Sequence, residues 1–141
     1  MNLRTLVALA GLAQVALALV SPAIPLLLDW RGQLAVLRPL LRQVFWTYAA
    51  YILAINLWFG VVSLFLAGAL LDGSPLASAV TGLIACYWLG RLLIQFFYFD
   101  RSDHPSGVVF VLGELLLVAL FVCLTLIYGA AAIHNACGSA P

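Results

Sequence analysis

The chain has 141 residues, of which 66% are hydrophobic and 8% charged, and its formal net charge is +1. A soluble domain keeps about a quarter of its residues charged so that water can solvate its surface; this chain has too few, so lipid must cover most of it. A charge balance this small also excludes the polycationic face that nucleic-acid binding needs.

A bilayer core of about 30 Å takes roughly 20 apolar residues in a helix, and four stretches are long enough. The first covers residues 5–28 and is interrupted near its end by Ser21, Pro22 and Pro25. A proline removes a backbone donor and kinks a helix, so this span bends or ends there, leaving 26–28 near the interface. Arg4 ahead of an apolar run, with small residues at 20–23, also has the outline of a signal peptide. Cleavage there would put the most Arg-rich segment outside the cell, so the first helix is expected to be retained. Residues 31–43, with apolar positions between Arg31, Arg38 and Arg42, are expected to lie along the membrane surface.

The second span is expected at 44–71. On it Ala49, Asn56, Gly60, Ser63 and Ala67 share one narrow helical face, with Asn56 near mid-depth. Asp72-Gly73-Ser74-Pro75 then reads as a tight turn. The third span is expected at 76–99. Ser78, Gly82, Cys86 and Gly90 recur every four residues along it and form a ridge of small side chains. In lipid such ridges let helices approach closely. Beside it Tyr87, Arg91 and Gln95 form a polar ridge at the same spacing, and both ridges are expected to face protein. A polar loop at 100–107, containing Asp103-His104, leads to the fourth span at 108–133. That span aligns Glu114, Phe121, Thr125 and Tyr128, while the first offers Gln14 between Ala10 and Ala18.

The expected fold class is therefore an all-α membrane protein: a four-transmembrane-helix bundle, antiparallel neighbours joined by short loops, forming one transmembrane domain over 1–141. Strands are excluded, because an open sheet cannot satisfy its backbone in lipid and no alternating pattern appears. Arg31, Arg38, Arg42 and Arg101 fall on one side of this topology and only Arg4 on the other. The excess of Arg on cytoplasmic loops puts loops 29–43 and 100–107 inside and both termini outside, in a multi-pass cell (inner) membrane protein.

Arg91 and Glu114 are the ionisable residues placed deepest. They sit at matching depths on adjacent spans, and a charge at the bilayer centre costs roughly 3 kcal/mol or more, so the two are expected to pair. The candidate polar cluster is Arg91, Glu114, Gln95, Asn56 and Tyr87. It reads either as a pair that fixes helix register or as an ion or substrate site. Aromatic residues crowd the expected cytoplasmic half, among them Trp30, Phe45, Trp46, Tyr48, Tyr51 and the run 96–99. They suit an interfacial belt or a groove for a lipid tail or quinone. Trp58 and Trp88 lie deeper, as core or as contacts to another subunit. Cys86, Cys123 and Cys137 form no C-x-x-C pair, and no cofactor, metal or catalytic motif is present. These features suit a non-enzymatic accessory or scaffold subunit whose partners are the bilayer and a second copy or another membrane subunit. The alternative is a small oligomeric transporter or channel using the Arg91/Glu114 cluster.

Overall fold

The computed structural model describes residues 2–98 and 107–138, without the side chains of 109 and 110. The loop at 100–106, with Arg101 and His104, lies outside the described residues. The fold class is all-α: 88% helical, with no strand among the described residues. Four helical stretches are long and apolar enough to cross a membrane: Leu3–Leu27, Pro39–Phe65, Pro75–Phe97 and Val111–Gly138.

Helix α1 (Leu3–Val20) starts beneath Asn2, whose Oδ1 accepts from the Thr5 amide at 2.9 Å and the Thr5 hydroxyl at 2.7 Å. Its regular run stops at Ser21-Pro22, where the ring of Pro22 cannot donate to the ladder. A one-turn helix, α2 (Ala23–Leu27), follows and is the bend expected from the two prolines. Asp29 adopts a left-handed conformation, φ 43°, and its side chain accepts from the Gly32 amide to start α3 (Trp30–Gln33). A 3-10 turn over Leu34–Val36 follows.

Helix α4 (Pro39–Phe65) begins five residues earlier than the second span expected from composition. The reason is local. Arg38 is extended, ψ 144°, as a residue before proline prefers, and Pro39 fits the first helical position, where its missing donor costs nothing. Residues 39–43 therefore belong to the helix long and apolar enough to span, and the turns before it cover 30–36. The helix ends at Phe65. Residues 69–71 form a 3-10 turn with Leu70 buried instead of a helical continuation.

Gly73 takes φ 75°, which only glycine adopts freely, and lets the chain reverse. Ser74 then caps α5 (Pro75–Phe97): its Oγ accepts from the Ala77 amide at 3.1 Å. Helix α6 (Val108–Gly138) runs five residues beyond the expected end of its span, because no proline or charged run interrupts it before Gly138. His134 and Cys137 accordingly lie within the helix.

The chain divides into two compact units, residues 8–66 and residues 1–7 with 67–141. In the second unit α5 packs on α6. Thr81, Ile84 and Trp88 of α5 and Phe121, Leu124, Tyr128, Ala131 and Asn135 of α6 are buried. Each set recurs at spacings of three and four, so each forms one stripe of its helix. The Trp88 and Phe121 rings lie 5.1 Å apart, tilted by 32°. Trp88 is thus core, whereas Trp58 is exposed. In the unit formed by residues 8–66, α1 and α4 meet backbone to backbone at Gly11 and Gly60. A Cβ on Gly11 would stand 2.5 Å from the Leu64 nitrogen and 2.8 Å from the Gly60 carbonyl oxygen.

Candidate functional site

The polar positions of α5 and α6 are fixed by the Trp88–Phe121 contact. Antiparallel helices that meet at one pair meet again two turns away, seven residues on in one and seven back in the other. From Trp88 and Phe121 that rule reaches Gln95 and Glu114. The Gln95 amide donates to Glu114 Oε1 at 3.3 Å. Arg91 is three residues from Trp88 and so lies on the flank of the seam, where its side chain is exposed. The expected Arg91–Glu114 ion pair is not formed among the described residues. The depth match was sound for both Arg91 and Gln95, which are one turn apart; helical phase gives the carboxylate to Gln95. Tyr87, beside Trp88, stacks edge-on against it with centroids 5.4 Å apart.

In the other direction the rule reaches Tyr128, opposite Thr81, and then Asn135. Asn135 is fully buried and joins three groups of this unit. Its Nδ2 donates to the Leu70 carbonyl at 2.8 Å and to Thr81 Oγ1 at 3.4 Å, and its Oδ1 accepts from the Gly73 amide at 3.2 Å. Thr81 itself donates to the Ala77 carbonyl at 2.6 Å. The side chain of α6 thereby holds both the turn and the first part of α5. Sequence reasoning passed over Asn135. The available signal was an amide late in an apolar span, on the same stripe as Phe121 and Tyr128. Gly11 was passed over likewise, although Gly60 was placed on the packing face of its helix. Beside the turn, the exposed carboxylate of Asp72 is held below its ordinary value of 3.8 by hydrogen bonds from the Ser74 side chain and amide. The amide contact is 2.8 Å.

Asn56 of α4 shares a helix face with the buried Gly60 and Ser63. Its Oδ1 is buried and has no hydrogen-bond partner among the described residues. An orphaned buried carbonyl costs about 1–3 kcal/mol. Asn56 belongs to the unit of residues 8–66, and Tyr87, Arg91, Gln95 and Glu114 to the other.

The small ridge of α5 lies outside the buried stripe that packs on α6. Ala77, Thr81, Ile84 and Trp88 set the buried side, while Ser78, Gly82 and Gly90 are half-buried and Cys86 is exposed. A Cβ on Gly82 or Gly90 would meet nothing within 4 Å.

These features define a multi-pass membrane protein built from four apolar helices. Comparison with protein-family models, with curated proteins and with solved structures gave no match to the chain.

Proposed function

We propose that the chain is an accessory or scaffold subunit of a membrane complex, and that it docks through the small ridge of α5. The observation carrying this reading is that, among the described residues, nothing stands within 4 Å of a Cβ built on Gly82 or Gly90, and Cys86 on the same ridge is exposed. Lipid gives no hydrophobic drive for helix association, so close approach over small residues is what holds neighbours together. A ridge four positions long suits a helix of a second copy or of another membrane subunit. The Arg-rich segment around Arg31, Arg38 and Arg42 supports a cell inner membrane setting with that side cytoplasmic and both termini outside. The test is purification of wild type, Gly82→Leu and Gly90→Leu in mild detergent. A partner or second copy at fixed stoichiometry, lost in both variants while their melting stays that of wild type, supports the reading. A wild-type monomer with no fixed partner, or an assembly that survives both substitutions, overturns it.

One observation favours a second reading, a small transporter or channel. The buried Asn56 Oδ1 has an acceptor to offer inside a spanning helix, and Arg91, Gln95, Glu114 and Tyr87 supply further polar positions. Substrate-dependent proton flux in proteoliposomes, abolished by Asn56→Leu, would favour that reading over the first.

A further inference from the structure

The membrane-surface end of α4 has the chemistry of a phospholipid site. Trp46, Thr47, Ala50, Tyr51 and Ala54 line an open groove of about 500 Å³. They belong to two neighbouring ridges of one helix. Trp46, Ala50 and Ala54 continue the ridge of Arg42 at spacing four, and Thr47 and Tyr51 continue that of Gln43. Ala50 and Ala54 leave room that the larger rings of Trp46 and Tyr51 border. Trp46 is held from behind: its ring lies 5.9 Å from Phe45 and 6.4 Å from Trp30, and Phe45 packs edge-on to Trp30 at 5.3 Å. Trp30 is placed by Asp29, whose left-handed backbone and hydrogen bond to Gly32 start α3.

The upper end of the groove is cationic. Arg42 stands one turn above Trp46, and Arg31, Arg38 and Arg42 are all exposed. Asp29 is the one acidic residue between positions 8 and 66. No side chain caps the start of α4 at Arg38, so the positive end of its dipole adds to the same field. From Arg42 to Ala54 the helix rises roughly 18 Å at 1.5 Å per residue, slightly more than one leaflet of a ~30 Å core. The groove, lined from Trp46 to Ala54, thus starts one turn from a charge that suits a phosphate and runs on along the helix as an apolar strip.

We propose that this face of α4 binds an anionic phospholipid, with the phosphodiester at Arg42, flanked by Arg38, and one acyl chain on Ala50 and Ala54 between Trp46 and Tyr51. Charge complementarity selects an anionic headgroup, and the apolar strip selects a lipid over a soluble phosphate. The site lies on a different helix from the α5 ridge and does not depend on it.

The experiment is melting of the purified full chain in detergent during titration with dioleoylphosphatidylglycerol. Parallel titrations use dioleoylphosphatidylcholine and glycerol 3-phosphate. The expected result is a saturable rise in melting temperature with the anionic lipid alone. Arg42→Gln should weaken the apparent affinity about fivefold, the worth of one basic residue at an anionic surface. Ala50→Trp, which fills the groove, should remove the saturable rise, and Arg4→Gln should leave it intact. Arg42→Gln changes an exposed side chain and carries the test alone if Ala50→Trp does not fold. An equal rise with phosphatidylcholine or with glycerol 3-phosphate overturns the proposal, as does unchanged affinity in Arg42→Gln.

Discussion

Gly11→Ala places a methyl group where α1 and α4 touch through their backbones. Its Cβ would stand 2.5 Å from Leu64 nitrogen, 2.8 Å from Gly60 oxygen and 2.9 Å from the Ser63 carbonyl carbon. All three are backbone atoms, so no side chain can swing aside. Carbon contacts are favourable at about 3.5–4.0 Å, so the helices must separate by about 1 Å locally, and every dispersion contact along the crossing weakens. Overpacking of this kind costs roughly 1–3 kcal/mol, and the upper half of that range is expected here. Gly60→Ala should behave similarly, since its Cβ would come within 2.9 Å of the Val15 nitrogen and 3.0 Å of the Gly11 oxygen. Because either methyl alone opens the same crossing, the double variant should cost less than the two singles added. Gly82→Ala is the internal control, with nothing within 4 Å of its new atom. The assay is equilibrium unfolding by dodecyl sulfate titration in mixed micelles, followed by circular dichroism. The reasoning is refuted if Gly11→Ala lies within about 0.5 kcal/mol of Gly82→Ala, the ordinary spread of uncritical substitutions.

Asn135→Leu removes the partner of the Leu70 carbonyl and the Gly73 amide; at about 1–3 kcal/mol per group left unsatisfied, it should be the most destabilising single change in α6, read by the same titration. A double-mutant cycle on Gln95 and Glu114 should show coupling near the ~0.6 kcal/mol typical of interhelical polar contacts, whereas a cycle on Arg91 and Glu114 should show additive costs. Asp72 has a folded value lowered beneath 3.8 by the Ser74 hydrogen bonds, so its contribution is present in full above that value and lost as pH falls through the folded one. Thermal melts from about pH 6 down to about pH 3 should therefore show a smaller acid loss in Asp72→Asn than in wild type, and equal losses would mean the turn is not sensitive to this carboxylate. With a membrane-impermeant thiol reagent on intact cells, Cys137 should react in a variant lacking the other two cysteines. A cysteine replacing Ser102 should react only after the membrane is opened, and the reverse pattern would invert the topology.

The four spans were legible because twenty apolar residues in a row leave a chain few other places to go. Their ends were less so. The start of α4 depends on Pro39 serving as a first helical residue, which outweighs the polarity of Arg42 and Gln43. The polar contact between α5 and α6 was half legible. Counting along the helix axis fixes depth, and depth brought Glu114 to the level of Arg91 and Gln95 together. Choosing between them needs the angle around the axis, which Trp88 sets, and Trp88 had been left open between core and subunit contact. The ridge from Ser78 to Gly90 is recognisable in the sequence as a run of small residues at spacing four. Its direction is not, because spacing alone does not say which stripe of a helix the chain uses for itself. At Gly11 the sequence offers only a small residue among alanines; the close approach depends on how two helices cross, which no local pattern encodes.

Asn135 reaches back 62 residues to Gly73 and 65 to Leu70, and this carries a consequence for biosynthesis. The ribosome makes the turn long before it makes the amide that closes it. In the interval the Gly73 N–H and the Leu70 carbonyl lack their permanent partner, and only water can serve them, since lipid offers neither donor nor acceptor. The charge of Asp72 beside the turn favours the same aqueous surroundings. Once α6 is made, Asn135 can supply an acceptor to the Gly73 amide and a donor to the Leu70 carbonyl. The bonds that hold this turn are thus among the last that the chain can form.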